Sequence, residues 1–431
     1  MCMVNGMSAL ESLIATSGEA SMLDSLDFTL PAASTAVVDR RQHVRAYPTS
    51  ASTLTPTGTR TVRLRLGGDD FVDASSIRLQ YTITNTSADK ALVPWSGPWG
   101  AWSQVYLRSN GVELDNIPQY GRFHQQYGWN QLSQEQQFGE VGISGLAGSW
   151  NDNGTPSLGT LAAGASFTVL HKVHVSLFNS GKLLPTRYMP LELEMSLNST
   201  VTDWLNPGGT AFSTIFTVSN IQLLYDAYIL DEAVQESFYK ALLSSRVLSI
   251  PTMTVYQVVQ SIPGGSTSFS FSAVRAFSRL SHVWLTFRAA GARSSEFFNP
   301  TNRAGNGANP QLADNGCPSA RLSVGSHYWP DPQPNQTIPE LFYMMQKTIP
   351  NIPNITRDQF TAQTANTGAF TICFDVRKVP ADPTSSISTR SGDLLRVDLN
   401  NLTADLVTEC YMTLFAFSVT AVRESGMTLL T

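Results

Sequence analysis

Short runs in which apolar residues alternate with polar ones recur along this chain, and one segment of helical character divides them into two series. Alternation with a period of two residues places one face of a strand against a core and the other face in solvent. The runs of the first series are residues 60–66, 76–84, 102–109, 166–177, 191–197 and 218–230. This pattern predicts an all-β protein.

The dividing segment covers residues 231–245, with the sequence DEAVQESFYKALLSS. It has acidic residues in its first turn and places Val234, Phe238 and Leu242 on one face, which predicts a short amphipathic helix. Alternating runs then resume at residues 248–260, 266–272, 280–288, 368–377 and 409–422. The chain therefore has the order strands, helix, strands.

This order predicts a division of the 431 residues into four parts, because a chain of this length can bury two separate cores. The parts are an N-terminal arm (1–22), a first β-sandwich (23–230), a linking helix (231–247) and a second β-sandwich (248–431). A stretch rich in Asn, Pro and Gly, at about residues 289–363, is expected to form a long surface loop.

The composition restricts the classes of function. Charged residues make up 14% of the chain, against about 25% in an average soluble domain. Low charge with many aromatic residues is typical of a surface that neighbouring subunits cover, although it also fits a secreted lectin. The net charge of −5 argues against a general electrostatic affinity for DNA or an anionic membrane.

The cysteines and the N-terminal segment predict a chain that is synthesised inside the cell. Cys2, Cys317, Cys373 and Cys410 are too scattered for a disulfide framework or a zinc knuckle, so we expect reduced thiols. Residues 1–22 lack a basic leader followed by a compact apolar block. No stretch approaches the roughly 20 apolar residues that a membrane span needs.

Two segments carry a family resemblance. Residues 102–129 combine a strand, an Asn-Gly turn and a helix-like spacing of Tyr120, Phe123 and Tyr127. Residues 250–300 combine a strand, a Pro-Gly-Gly hairpin, an alternating Ser-Phe strand and an Arg-flanked strand. Together with the order of parts, they resemble the double jelly-roll major capsid proteins of adenoviruses, tectivirus-like phages, polinton-like viruses, virophages and nucleocytoplasmic large DNA viruses.

The resemblance covers roughly residues 23–425 and implies two jelly rolls in tandem. It implies a homotrimer with a pseudo-sixfold outline that tiles an icosahedral shell around DNA in the virion, and no enzymatic activity. The implied partners are neighbouring capsomers, minor capsid proteins and penton proteins. The arm at 1–22 is a candidate for contact with a minor capsid protein or an internal membrane, and segments 231–245 and 289–363 are candidates for trimer contacts.

Motifs for catalysis, cofactors and metals are incomplete, so we predict no catalytic, cofactor-binding or metal-binding residue. His171 and His174 lie three apart in a predicted strand, where their side chains would point to opposite faces. Ser237 and Lys240 match a Ser-x-x-Lys spacing without the motifs that accompany it in penicillin-binding enzymes. The segment ending in Gly181-Lys182 also lacks the first Gly and the Ser/Thr of a nucleotide-binding loop.

Charged residues inside the strands could in principle form sites, but a place at a sheet rim, at a subunit interface or on a solvated sheet face accounts for them better. Glu192 and Glu194 share one strand face, whereas the two acids of a glycosidase normally come from separate elements. Arginines interleaved with tyrosines raise the alternative of single-stranded nucleic acid stacking, but salt bridges between subunits or a solvated sheet face fit the acidic context better. These residues are Arg63, Arg65, Arg78, Arg108, Tyr81 and Tyr106.

Two other functions remain open at this point. A two-domain carbohydrate-binding β-sandwich protein would show a solvent-facing aromatic platform and a secretion signal. A glycoside hydrolase built on jelly rolls would show turnover of a glycan.

Overall fold

The computed structural model describes residues 38–68, 70–94, 97–131, 161–200, 204–205, 212–244, 247–289, 319–331, 338–349, 370–379, 382–390, 394–400, 402, 407–423 and 426–430. Within them, the helices are α1 Tyr120–Gln131, α2 Glu232–Leu243 and α3 Ile338–Thr348. The strands before α2 are β1 Val38–Ala46, β2 Thr61–Leu66, β3 Phe71–Asp73, β4 Arg78–Asn85, β5 Trp102–Ser109, β6 Val112–Ile117, β7 Ser166–Lys172, β8 Leu183–Pro185, β9 Leu191–Leu197 and β10 Phe216–Leu230. Those after it are β11 Leu248–Ser261, β12 Ser268–Ala273, β13 Leu280–Ala289, β14 Ser319–Val324, β15 His327–Trp329, β16 Ile372–Asp375, β17 Leu395–Asn400, β18 Val407–Arg423 and β19 Gly426–Leu430.

The strands of the described residues form three sheets, and one of them is shared between the two halves of the chain. The first sheet has the order β7-β4-β10-β3-β8, with β1 paired to β10. The third has the order β12-β17-β14-β15. The shared sheet has the order β16-β13-β18-β11-β6-β5-β9-β2, with β19 paired to β18. We call the strands before α2 the first unit and the strands after it the second unit.

The core of the first unit lies between the first sheet and the shared sheet. Residues of β4 alternate between buried and partly exposed positions, as the sequence pattern predicts. Tyr81 of β4 contacts Trp102 of β5 edge to face, with ring centroids 5.3 Å apart. The Tyr81 hydroxyl donates a hydrogen bond to the Pro98 carbonyl at 2.9 Å, so its one polar group is satisfied inside the core. The all-β prediction is confirmed.

Most of the predicted strands are present, and β5 and β9 have the predicted bounds. Asn110 and Gly111 connect β5 to β6 with φ angles of 48° and 82°, which is the left-handed geometry expected for an Asn-Gly hairpin. The predicted linking helix is α2, and the carboxylate of Asp231 accepts a hydrogen bond from Ala233 N at its start.

The strand predicted at residues 166–177 is too long, because β7 ends at Lys172. Beyond that point the backbone bonds to side chains instead of to a neighbouring strand. His174 N donates to the Tyr120 hydroxyl at 3.2 Å, and Ser176 N donates to the Asp115 carboxylate at 2.5 Å. The alternation argument therefore does not extend to His174.

The expectation of one long loop at residues 289–363 is wrong for the described part of that stretch. It contains β14, β15 and α3, and β14 pairs with β17. Ala320, Leu322 and Val324 alternate toward the core, but Asn- and Pro-rich flanks conceal this short pattern in the sequence. Segments 290–318, 332–337 and 350–363 lie outside the described residues, as does the predicted arm at 1–22.

Two of the cysteines fall within the described residues and have the state that the sequence predicted. Cys373 and Cys410 are free and buried, and burial raises the pKa of both thiols. Neither is therefore disposed to form a thiolate. Helices of the described segments are all too short or too polar to cross a bilayer.

Helix α1 approaches residues 98–101 closely at Gly121. A Cβ atom at this position would lie 2.8 Å from Gly100 Cα and 3.3 Å from the Trp99 carbonyl oxygen. We expect Gly121→Ala to lower the free energy of unfolding by about 1 to 3 kcal/mol, because backbone atoms cannot move aside as a flexible side chain would. Urea denaturation of Gly67→Ala gives the comparison, since no heavy atom lies within 4 Å of that Cβ. Equal losses in the two variants would contradict the close approach.

Candidate functional site at the junction of the units

The shared sheet passes from one unit to the other where β6 and β11 run parallel. Their register places Asn116 opposite Tyr256. Next to this pair, Gln119 N donates to Gln257 Oε1 at 3.2 Å, and Gln257 Nε2 donates to Thr413 Oγ1 at 3.4 Å. The amide of Gln257 thus connects the chain leading into α1 with β18 of the second unit.

A buried carboxylate forms the second connection. Asp115 of β6 is 1% exposed, and its two oxygens accept hydrogen bonds from Ser176 N at 2.5 Å and from Val255 N at 3.4 Å. Ser176 belongs to the first unit and Val255 to β11 of the second. Burial raises the pKa of Asp115 to about 6. The two backbone donors hold this carboxylate between the units.

A buried arginine at the start of α1 forms the third connection. Arg122 is 2% exposed and donates from Nη2 to the Phe287 carbonyl at 2.6 Å and from Nε to Thr286 Oγ1 at 3.3 Å. Its guanidinium lies 4.3 Å from the centroid of the Tyr411 ring. Burial lowers the pKa of Arg122 to about 10, so the group stays charged at neutral pH. A first-unit helix is thereby bound to β13 and β18.

The other face of α1 packs on histidines of the first unit. His124 Nε2 donates to the Lys172 carbonyl at 3.1 Å, and its ring stacks on Trp99 at a centroid distance of 4.5 Å. The rings of His174 and His171 lie 4.6 and 5.5 Å from it. Burial holds the pKa of His171 and His174 well below the usual range. Within the described segments, no cluster of three His, Cys, Asp or Glu residues has the arrangement of a metal site.

The charges of β2, β5 and β9 that the sequence singled out lie on the outer face of the shared sheet, whereas Arg78 lies on β4 of the first sheet. Arg63 Nε donates to Glu194 at 2.8 Å, and Arg65 Nε donates to Glu192 at 3.2 Å. Arg108 contacts Glu194 at 3.5 Å. These are cross-strand ion pairs within one chain, not between subunits, and each is exposed enough to contribute only about 0 to 1 kcal/mol.

The Ser-x-x-Lys spacing in α2 does not form a catalytic pair. Ser237 Oγ donates to the Val234 carbonyl at 2.8 Å, and Lys240 Nζ pairs with Glu236 at 2.8 Å. Both side chains are engaged in ordinary helix contacts. The spacing is therefore a feature of the helix surface.

Sequence reasoning missed the residues that connect the units. Asp115 and Arg122 occur in the segment that carries the family resemblance, but neither was singled out. The aromatic spacing around Arg122 indicated a helix, whereas its acceptor Phe287 lies 165 residues farther along the chain. The sequence did contain a signal: Asp115 and Arg122 are the charged residues that border the uncharged stretch 116–121.

Comparisons with solved structures identify the fold. The chain is similar to the PBCV-1 virus capsid, with a TM-score of 0.64 at 11% identity over 94% of this chain and 99% of that one. It is similar to the Sputnik virophage structure, with a TM-score of 0.58 at 10% identity over 100% and 93%. It is similar to the mavirus major capsid protein, with a TM-score of 0.56 at 9% identity over 100% and 95%.

These similarities show that the chain has the double jelly-roll fold, and the fold class predicted from the sequence is confirmed. No family model matches the chain, and no curated protein matches it in sequence. The likeness is therefore one of structure, at identities of about a tenth.

Proposed function

We propose that this chain is a structural major capsid protein that forms homotrimers with a pseudo-sixfold outline, which tile an icosahedral shell around a DNA genome. The observation that carries the proposal is the extent of the structural likeness. It covers 94% or more of this chain and 93% or more of the PBCV-1, Sputnik and mavirus chains. A single jelly roll occurs in lectins and other proteins as well as capsids, so likeness over one unit alone would leave the function open.

The junction supports this role. Two units held by the shared sheet, Asp115, Gln257 and Arg122 behave as one body, so three chains present six similar units in fixed positions. Such a body suits a tile, whereas two loosely linked domains would not keep a sixfold outline. The proposal assigns the chain no catalytic step.

The partners follow from the same proposal. They are further copies of the chain in the trimer and in neighbouring capsomers, together with minor capsid and penton proteins. The virion is the site of the mature protein, and DNA is enclosed without sequence-specific contacts. The division into an arm, two jelly rolls and a linking helix is part of the proposal, and the arm at 1–22 is its candidate contact for a minor capsid protein or an internal membrane.

We expect the purified full-length chain to have a mass of three times 46.9 kDa in solution. Light scattering measures the mass, and electron microscopy of the same sample shows whether the particles have a hexagonal outline or form shells. A monodisperse monomer at concentrations typical of assembly would contradict the proposal. Turnover of a glycan by that sample would instead support a hydrolase on the same fold.

A further inference from the structure

A groove of about 400 Å³ lies on the solvent-facing side of the third sheet. Side chains of β12, β14 and β17 form it, and most of them are polar. Its lining residues are Ser268, Phe269, Ser270, Arg321, Arg396, Asp398, Leu399 and Asn400. The groove is separate from the junction of the units and from the ion pairs of the shared sheet.

Two of its three charges neutralise each other. Arg396 Nε donates to Asp398 Oδ1 at 2.7 Å and contacts Ser270 Oγ at 2.8 Å. Ser270 Oγ also donates to Asp398 Oδ1 at 2.5 Å. The Asp398 carboxylate is therefore occupied by Arg396 and Ser270.

The third charge, Arg321, is not neutralised by an ion pair within the described residues. It lies opposite Asp398 in the register of β14 and β17. Among the residues that the structure describes, it makes no hydrogen bond or ion pair, and its Nε is shielded from solvent without an acceptor. Its guanidinium is 3.7 Å from the centroid of the Tyr328 ring, and this stacking fixes the plane of the group. Among the described residues, the groove thus carries one positioned positive charge that no anion pairs with.

We propose that this groove binds a carboxylate-bearing saccharide, with the carboxylate on Arg321. A guanidinium matches a carboxylate through two parallel N–H donors, and such pairs are among the stronger hydrogen bonds in proteins. Ser268 and Asn400 also line the groove and supply hydroxyl and amide groups of the kind that bind sugar hydroxyls. A protein partner would instead favour an apolar, aromatic centre, which this polar groove lacks.

The test measures binding of 3′-sialyllactose to the full-length protein in its native oligomeric state by isothermal titration calorimetry. Lactose, which lacks the carboxylate, and sodium acetate, which lacks the sugar, are titrated at the same ionic strength. We expect saturable binding of sialyllactose only. In Arg321→Gln the affinity is expected to fall about tenfold or more, because charged hydrogen bonds are lost.

Arg63→Gln is the matched control, since it removes one exposed arginine from the outer face of another sheet. It is expected to bind sialyllactose as the wild type does. Circular dichroism and light scattering of both variants establish that each has the native fold and mass. Full affinity in Arg321→Gln, equal losses in both variants, or no saturable binding to the wild type would overturn the proposal. Equal affinity for acetate would also overturn it, because the site would then recognise an anion without a saccharide.

Discussion

Replacing Arg122 by alanine is expected to lower the free energy of unfolding by about 3 kcal/mol or more and to separate the unfolding of the two units. The variant leaves the Phe287 carbonyl without its 2.6 Å donor inside the protein, which alone costs about 1 to 3 kcal/mol. It also removes a long, 2% exposed side chain that packs on Tyr411. Calorimetry should show one cooperative transition for the wild type and two for the variant.

The comparison variants separate charge from geometry. Arg122→Lys keeps the positive charge but loses the planar donor geometry, so we expect it to recover only part of the stability. Arg423→Ala removes an exposed arginine of β18 and should stay within about 0.5 kcal/mol of the wild type. If Arg122→Ala were no less stable than Arg423→Ala, the junction would not depend on this contact.

Acidification from pH 7.5 to pH 5 is expected to destabilise the chain strongly. His171, His174 and His282 are buried, and burial lowers the pKa of each, to about 3 for His282. Each stays neutral in the folded state but takes up a proton on unfolding once the pH falls below about 6.5. The contribution of each neutral histidine to the free energy of unfolding is therefore fully present above that pH and is lost below it. The loss is about 2 kcal/mol per histidine at pH 5.

Asp115 opposes this trend. Its pKa of about 6 lies above the ordinary value of 3.8, so on acidification the folded state takes up this proton at a higher pH than the unfolded state does. The folded state therefore gains stability as the pH falls through 6. The gain at pH 5 is about 1 kcal/mol, which is smaller than the combined loss from the three histidines. The net change is a loss on the order of 4 to 5 kcal/mol.

Denaturant unfolding at the two pH values measures this dependence. Neither ring nitrogen of His171 has a hydrogen-bond partner within the described residues, so His171→Phe keeps a ring in place and removes one proton site. We expect its stability to change less between pH 7.5 and 5 than that of the wild type. Tyr81→Phe removes the hydrogen bond to Pro98 and no group that titrates between pH 5 and 7.5, so it should lower stability equally at the two pH values. A wild-type protein equally stable at both values would show that the buried histidines do not govern acid stability.

The strands that the sequence predicts well are those with one buried face. β5 and β9 alternate strictly, and their bounds agree with the prediction. β1 was missed because six of the nine residues in its sequence, VDRRQHVRA, are polar and none of the nine is fully buried. β3 and β8 have three residues each, too few for a period to be recognised.

The junction could not be predicted because its contacts join positions far apart in sequence. Asp115 bonds to Val255 N across 140 residues, and Arg122 bonds to Phe287 across 165. Local patterns show that a residue is charged or that a helix is amphipathic. They do not show that a charged residue of one unit is buried against another, since burial depends on how the two units pack.

The parallel pairing of β6 with β11 has a consequence for the order of synthesis. A ribosome completes the first unit well before it reaches residues 248–261, because chains are made from the N-terminus. During that interval β6 has β5 on one side and an open row of backbone donors and acceptors on the other. Nascent chains in this state are exposed to pairing with one another. The edge of β6 is covered once β11 of the second unit has been made. Slow translation of the second unit therefore prolongs the period in which the first unit can aggregate.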